Sequence, residues 1–419
     1  MNTFDEVEAF FASRRKLGIK QGLERLDYLL EKTNHPEMQL KAVHLAGTNG
    51  KGSTLTYMKE VLIESGYKVG SFVSPGLPTI RDHMMINHQT ISEEEFIAVL
   101  NDLLPLIVEM DQMDKAPSEY EILMVMTFLY FSGQTDIVLI ETCMGGKEDV
   151  TNRIKPMITI ITTVDYDHMG FLGSSLAEIA VHKAGIIKKQ VPVVVGDLPQ
   201  EALEVVLQKA NSVNAPVYQY KKDYLVKDWQ WKAKTQQFTF VHHKEIPVEI
   251  SMLGSHQADN AANALMAMQL LIDDGWAIEQ HALQKGMKQA KIHNRLEMIR
   301  EEPAILIDGA HNTSSIKKLT DTIQTYWKDK RIFILFSAFK DKEIAKMTEL
   351  LSRNCDRLVV TTFDHPRALS ADNIADSFEF YSNYKDALKE ITERMRQDDC
   401  LIITGSLHFV EEVKKHIQN

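Results

Sequence analysis

The stretch His44-Leu45-Ala46-Gly47-Thr48-Asn49-Gly50-Lys51-Gly52-Ser53 holds three glycines, a lysine and a serine between an apolar run and a helical one. Glycines let backbone N–H groups converge on a phosphate without a Cβ in the way. The N-terminus of the helix that follows adds partial positive charge. Lys51 can then reach the β- and γ-phosphates of a nucleotide, and Ser53 can ligate magnesium. The spacing departs from the common phosphate-loop pattern, because Gly52 stands between Lys51 and Ser53 and the outer glycines read Gly47-x-x-Gly50. A glycine turn that binds nothing is the competing reading, and the lysine and serine placed between strand and helix make it the weaker one.

Other candidates are less specific taken alone. Glu141 ends an apolar strand, where ligand sites of open α/β sheets collect. His168 reads as a loop histidine, and Lys183 as a solvated lysine on a helix. His256-Gln257-x-x-Asn260 reads as a helix start with polar caps. Asp308-Gly309-Ala310-His311-Asn312 follows a buried strand and can be either a capped turn or a ligand loop. No Ser-His-Asp arrangement stands out.

The elements that must position these residues alternate. Nearly continuous apolar runs at 41–46, 68–73, 136–141, 157–162 and 191–196 read as buried parallel strands. Helical patterns at 54–65, 119–131, 174–188 and 200–214 lie between or after them. Thr3 with Glu6, and Ser92 with Glu95, read as capping boxes. Residues 224–250 change character, because Trp229, Trp231, Phe238 and Phe240 recur with period two and predict a small antiparallel region. Helices return at 256–273 and 279–289. A second strand–helix series follows, with strands at 304–308, 331–336, 357–361 and 400–404. The pattern predicts a two-domain α/β protein: a doubly wound, mostly parallel sheet over 1–295 and a Rossmann-like α/β domain over 296–419. No glycine- or serine-rich linker marks the junction, so close packing of the two is expected.

Bulk properties narrow the partners. A chain of 419 residues exceeds one compact core. The formal net charge of −11 argues against nucleic acid or an anionic membrane as the main partner. Cys143, Cys355 and Cys400 are scattered, with no CxxC pair, so neither a disulfide framework nor a structural zinc site is expected and a reducing compartment fits. The first residues show no basic n-region and no cleavable apolar stretch, and the longest apolar run is too short to span a bilayer. The expected location is the cytoplasm.

Taken together, these motifs resemble the ATP-dependent Mur-type ligases, and within them the folylpolyglutamate synthase / dihydrofolate synthase family. The likeness rests on AGTNGKGS and continues through Ser74-Pro75 and Glu141-x-x-x-Gly145-Gly146-x-x-Asp149-x-Thr151-Asn152. It runs on through Asp167-His168-x-x-x-Leu172-Gly173, Lys183-Ala184-Gly185-Ile186, Gly254-x-His256-Gln257-x-x-Asn260-Ala261 and Arg295-Leu296-Glu297. It closes with Asp308-Gly309-Ala310-His311-Asn312, Asp341-Lys342 and Gly405-Ser406-x-His408.

The resemblance implies ATP bound by Gly47, Thr48, Asn49, Gly50, Lys51, Gly52, Ser53, Asn260, Arg295 and Asp308. It implies Mg2+ held near Ser53, Ser74, Glu141 and His168, with a monovalent cation such as K+ as a further expectation. Lys51, Lys183 and His311 take catalytic parts, Lys183 as a carbamylated lysine. His311 and Ser406 face the incoming glutamate, and Tyr120 and Glu121 the pterin side. The implied activity is glutamate addition to a pterin or folate carboxylate through an acyl phosphate, in a monomer whose partners are ATP, L-glutamate and the pterin acid. The nucleotide-side motifs are kept, whereas Asp82–His88, Tyr120–Met124 and Ile292–Asn294 depart from the family pattern. A Mur-like ligase on a non-folate carboxylate and a non-catalytic ATP-binding paralogue stay open as alternatives.

Overall fold

Successive residues of a strand point to opposite faces, and β-strands here use both faces for core. In the computed structural model, which describes residues 1–18, 20, 22–232 and 235–418, Ile137 and Leu139 enter one apolar cluster. Val138 and Ile140, between and after them, enter another on the far side of the sheet. Cys400 and Ile402 are likewise separated from Leu401 and Ile403 in the second lobe. Such two-sided burial explains why these strands carry no polar alternation.

The first lobe is built on β1 (Ala42–Ala46), β2 (Val69–Phe72), β3 (Met84–Ile86), β4 (Gln89–Thr90), β5 (Ile137–Glu141), β6 (Ile158–Ile161), β7 (Val193–Val195) and β8 (Val217–Gln219). Their order across the sheet is β4-β3-β2-β5-β1-β6-β7-β8. β1, β2, β5, β6, β7 and β8 run parallel, and β3 and β4 add an antiparallel edge. β1 lies at the centre between β5 and β6, so the phosphate loop that follows it opens at a topological switch point.

The period-two aromatics at 224–250 belong to a three-stranded antiparallel sheet of β9 (Leu225–Lys232), β10 (Thr235–Val241) and β11 (Glu245–Ile250). Phe238 and Phe240 point into the core under the helices Lys51–Glu64 and His256–Asp273. Trp231 instead meets Tyr326 of the second lobe at a ring-centre distance of 4.2 Å.

The second lobe holds β12 (Glu297–Glu301), β13 (Ala304–Asp308), β14 (Ile332–Phe336), β15 (Arg357–Thr361), β16 (Glu379–Tyr381) and β17 (Cys400–Thr404), ordered β12-β13-β17-β14-β15-β16. Only the β12–β13 pair is antiparallel; the rest form a parallel sheet with helices on both faces. The two-lobed α/β architecture expected from the sequence is the one observed. Among the described residues no helix is long and apolar enough to cross a membrane.

Three local expectations change. The helix expected over 174–188 is shorter, Leu176–Ala184, and a separate one-turn piece, Met169–Leu172, precedes it. The longer piece starts at a box between Ser175 and Glu178, and it ends where Gly185 packs on Lys147. The helix expected from Thr54 begins at Lys51, so Lys51 and Ser53 lie in its first turn. The box expected between Thr3 and Glu6 is half formed: Thr3 Oγ1 accepts from the Glu6 amide, but the Glu6 carboxylate takes the Asn2 amide.

Candidate active site

The loop between β1 and the helix Lys51–Glu64 requires glycine at two points. Gly50, which caps the helix, has φ 87°, and a Cβ there would stand 2.3 Å from Asn260 Oδ1. A Cβ on Gly47 would stand 2.0 Å from Thr162 Oγ1. The loop is tied to the end of β6. The hydroxyls of Thr162 and Thr163 donate to Asn49 O at 2.6 and 3.0 Å, and the Thr48 amide donates to Thr163 O at 2.9 Å. Thr48 Oγ1 closes the other side on the Asp165 backbone. Lys51 Nζ donates to Gly47 O at 2.9 Å, and Gly52 and Ser53 follow it on the cavity wall. Thr162 and Thr163 were missed in the sequence. The only signal there is a hydroxyl pair at the end of a strand next to β1.

Glu141 is the last residue of β5 and registers with Leu45 of β1. Burial raises its carboxyl above the usual range, and the charges of Lys51 and Arg295 pull it back. Lys51 Nζ is 3.7 Å away. Ser74 follows β2, the neighbour of β5, so it reaches the same corner and its amide favours the ionised Glu141. His168 caps Met169–Leu172 in a left-handed conformation, φ 50°. Burial pushes its imidazole down to about 4, against the opposing charge of Asp167, so a lone pair stays free at neutral pH.

Among the described residues, no three His, Cys, Asp or Glu side chains converge to hold an ion alone. One buried carboxylate, two hydroxyls and an imidazole fit magnesium shared with nucleotide phosphates, which takes few protein ligands and keeps phosphate oxygens and waters.

Lys183 is buried, not solvated. Its helix lies against the turn at Gly145–Lys147: the Lys147 amide donates to His182 O at 2.7 Å, and a Cβ on Gly146 would stand 2.8 Å from the same oxygen. Burial pushes the amine down to about 7, reinforced by the charge of Lys51 and opposed by Asp167 and Asp149. A large neutral fraction is thus present near neutral pH.

The second lobe supplies the opposite wall. Asp308 ends β13, and its carboxylate accepts from the amides of Ala310 and Leu296, both at 2.9 Å. Burial raises this carboxyl and Arg295 counters it. His311 Nδ1 donates to Gly309 O at 2.8 Å, which leaves Nε2 facing Asp167 at 3.7 Å. Asn312 caps the helix Thr313–Tyr326 with its Oδ1 and crosses the cleft with its Nδ2. That amide donates to Asn49 Oδ1 and to Asp167 Oδ2, each at 3.1 Å. Lys342 Nζ pairs with Asp167 Oδ1.

Asp167 is therefore the joint between the lobes. Burial alone would raise its carboxyl, but the His311 contact and the Lys342 and His168 charges outweigh burial and hold it well below the usual range. The sequence placed Asp167, Asn312 and Lys342 within motifs without assigning them this contact.

A cavity of about 950 Å3 runs between the lobes. Of the sequence candidates, Asn49, Gly50, Gly52, Ser53, Ser74, Glu141, Asn260, Arg295 and Asp308 line it. Lys51, Gly47 and Thr48 belong to the same loop, with Lys51 against the lining residue Glu141. His168 and Lys183 lie close enough to Lys51 to feel its charge, and His311 lies with His168 at Asp167. Ser406 is buried just past β17. Tyr120 and Glu121 are not on this wall. Tyr120 packs edge-on to His83, with ring centres 5.7 Å apart, and backs Ser74. Glu121 is spent in a capping box with Ser118 and an ion pair with Arg25 at 3.0 Å.

Comparisons with known proteins match both lobes. The Mur ligase middle domain matches residues 45–268, and the Mur ligase glutamate ligase domain matches residues 294–407. The dihydrofolate synthase/folylpolyglutamate synthase of Bacillus subtilis (strain 168) is 34% identical over 99% of each chain. The chain belongs to the folylpolyglutamate synthase/dihydrofolate synthase family of Mur ligases. Among solved structures, Mycobacterium tuberculosis folylpolyglutamate synthase complexed with ADP and AMPPCP superposes with a TM-score of 0.92 at 25% identity, covering 99% of this chain and 98% of that one. A folylpolyglutamate synthase complex with AMPPCP and folate gives 0.89 at 28% identity over the whole of both chains. In this ligase the matched middle domain carries the phosphate loop, Glu141, His168 and Lys183. The matched glutamate ligase domain carries Arg295, Asp308, His311 and Ser406.

Proposed function

We propose that this ligase uses ATP to join L-glutamate to the carboxylate of a pteroate or folate. The observation that carries the reading is the meeting of the phosphate loop and the second-lobe loop at Asp167, through Asn312, His311 and Lys342. A bare nucleotide binder needs no such junction. A ligase needs it to bring an acyl phosphate and an amine together. The family's folate-bound relative supports the choice of acceptor.

The chemistry has two steps. An oxygen of the acceptor carboxylate attacks the γ-phosphorus of ATP and the bond to the β-bridging oxygen breaks, so ADP leaves. The glutamate α-amine then attacks the acyl carbon, and phosphate departs with the acceptor oxygen it took. Lys51, the loop amides and Arg295 neutralise the phosphates, and Asn260 and Asp308 complete the ATP-binding set. His311 would take the proton the amine loses, and Ser406 would face the incoming glutamate. Mg2+ at Ser53, Ser74, Glu141 and His168 would supply charge neutralisation at the phosphates. A carbamylated Lys183 would put an anion beside them, and the neutral amine that burial provides is the form that reacts with CO2. A monovalent cation such as K+ belongs to the same proposal, as do a division of the chain at 295/296, a monomeric state and a cytoplasmic location.

The test is ADP and phosphate release with dihydropteroate and with a reduced folate, each with and without glutamate. Release that needs both acceptor and glutamate supports the reading. Release only with non-folate carboxylates moves the enzyme to another Mur-type acceptor, and ATP binding without turnover makes it a non-catalytic paralogue.

A further inference from the structure

The helix Lys51–Glu64 turns one face to the cavity along its length: Ser53, Thr56, Lys59 and Glu60 all line it. Val73, Leu77 and Met85, from the segment between β2 and β4, line the same cavity. Glu60 is matched there by His88 at 3.5 Å. Lys59 is not matched. Among the described residues none forms a hydrogen bond or ion pair with its ammonium. Burial pushes the amine down, with only the neighbouring charge of Glu60 opposing. A partly buried cation without a partner is unfavourable in the free protein, so its place on a cavity wall points to an anion brought by a ligand.

The position says which anion. The nucleotide phosphates belong to Lys51 and the loop amides. The carboxylate that attacks the γ-phosphorus must stand by Ser53 and Glu141. Lys59 lies six residues beyond Ser53, about 9 Å along the helix axis, and helical side chains lean back toward the N-terminus. Its ammonium is thus placed for a second carboxylate a few carbon–carbon bonds from the first. A pteroate has one carboxylate, and that one reacts. A pteroylglutamate has two on its terminal glutamyl unit: the γ-carboxylate that reacts and the α-carboxylate that does not.

Resting on the function proposed above, we infer that Lys59 is the specificity-determining cation that binds the non-reacting α-carboxylate of glutamylated acceptors. It favours elongation of an existing glutamate over addition of the first. Leu77 and Met85 on the wall of the same cavity provide the apolar surface for the aryl part of the same acceptor.

The experiment measures steady-state kinetics of the wild type, Lys59→Met and Lys59→Arg with three acceptors: dihydropteroate, tetrahydropteroylglutamate and the α-carboxamide of the latter. Lys59→Met is expected to raise KM for the diacid about 10- to 100-fold, the range for losing one charged hydrogen bond. KM for dihydropteroate is expected to move far less, KM for ATP likewise, and Lys59→Arg should recover most of the loss. In the wild type the carboxamide should show the same rise as Lys59→Met shows with the diacid, and combining the two changes should add nothing further. Equal rises for the diacid and dihydropteroate in Lys59→Met would overturn the inference. So would a wild-type KM for the carboxamide equal to that for the diacid, a comparison that needs no variant to fold. Wild-type turnover with dihydropteroate alone also overturns it while leaving the ligase reading intact. No wild-type ADP release with any of the three acceptors removes the folate reading and this inference together.

Discussion

Lys51 Nζ stands 3.7 Å from Glu141 Oε1 while it donates to Gly47 O, so the phosphate-binding cation and the buried carboxylate share one floor of the cleft. Lys51→Ala removes the cation but leaves the loop's ties to Thr162 and Thr163. kcat should fall by about 100- to 1,000-fold, the usual loss for one transition-state charge contact. The melting temperature should stay close to that of the wild type. Near-normal turnover in this variant would remove Lys51 from the mechanism.

Gly50→Ala should act on binding and on stability together. The residue has positive φ, and the new methyl group collides with Asn260 Oδ1. A loss of about 1–3 kcal/mol in urea denaturation is expected from the strain. ATP affinity by calorimetry should fall at least about tenfold, equivalent to 1.4 kcal/mol. Unchanged affinity would mean that the loop does not hold the nucleotide.

Asp167 and Lys342 are both nearly buried, with side-chain exposures of 7% and 9%. Asp167→Asn leaves the Lys342 ammonium without its counter-charge and should destabilise the protein by about 3 kcal/mol. Adding Lys342→Met should restore part of that loss, which denaturant titration of the single and double variants would read. The pH sign follows from the depressed carboxyl. Its contribution is complete above the ordinary value of 3.8 and is lost as pH falls below it, so Asp167→Asn should flatten the acid limb of the stability profile.

Lys183 makes a pH prediction of the same sign in a higher window. Its amine titrates at about 7 in the folded chain against 10.5 ordinarily. Between those values the unfolded chain binds a proton that the folded one does not, so this group makes stability rise with pH across that window. The neutral amine that CO2 attacks also grows as pH passes 7. In 13C-bicarbonate the wild type should show a carbamate resonance that Lys183→Ala lacks, and activity should drop in CO2-free buffer and return with bicarbonate. Full activity without CO2 and no resonance would contradict the modification.

Much of the scaffold was readable because its strands are buried on both faces. The strands expected at 304–308, 357–361 and 400–404 have those bounds in the structure. The hairpin of β3 and β4 and the edge strand β12 were not readable. The three- and two-residue strands of the hairpin carry too little periodicity, and the mostly exposed β12 lacks the apolar run that marked the others. Some signals were present but unread: Ser175-x-x-Glu178 marks the start of the shorter helix, and Ser118-x-x-Glu121 explains where the Glu121 carboxylate goes. In the site, glycines and strand-end residues were legible from local pattern. Thr163 bound to Asn49, and Lys342 bound to Asp167, lie 114 and 175 residues apart in sequence, and only the folded sheet brings them together.

The central claim is that the γ-phosphoryl group passes to the acceptor's own carboxylate. An acceptor whose carboxylate carries 18O tests it directly, by mass spectrometry of the phosphate released in the presence of ATP and glutamate. One 18O per phosphate is the predicted result; phosphate without label, alongside amide product, would contradict the acyl phosphate route.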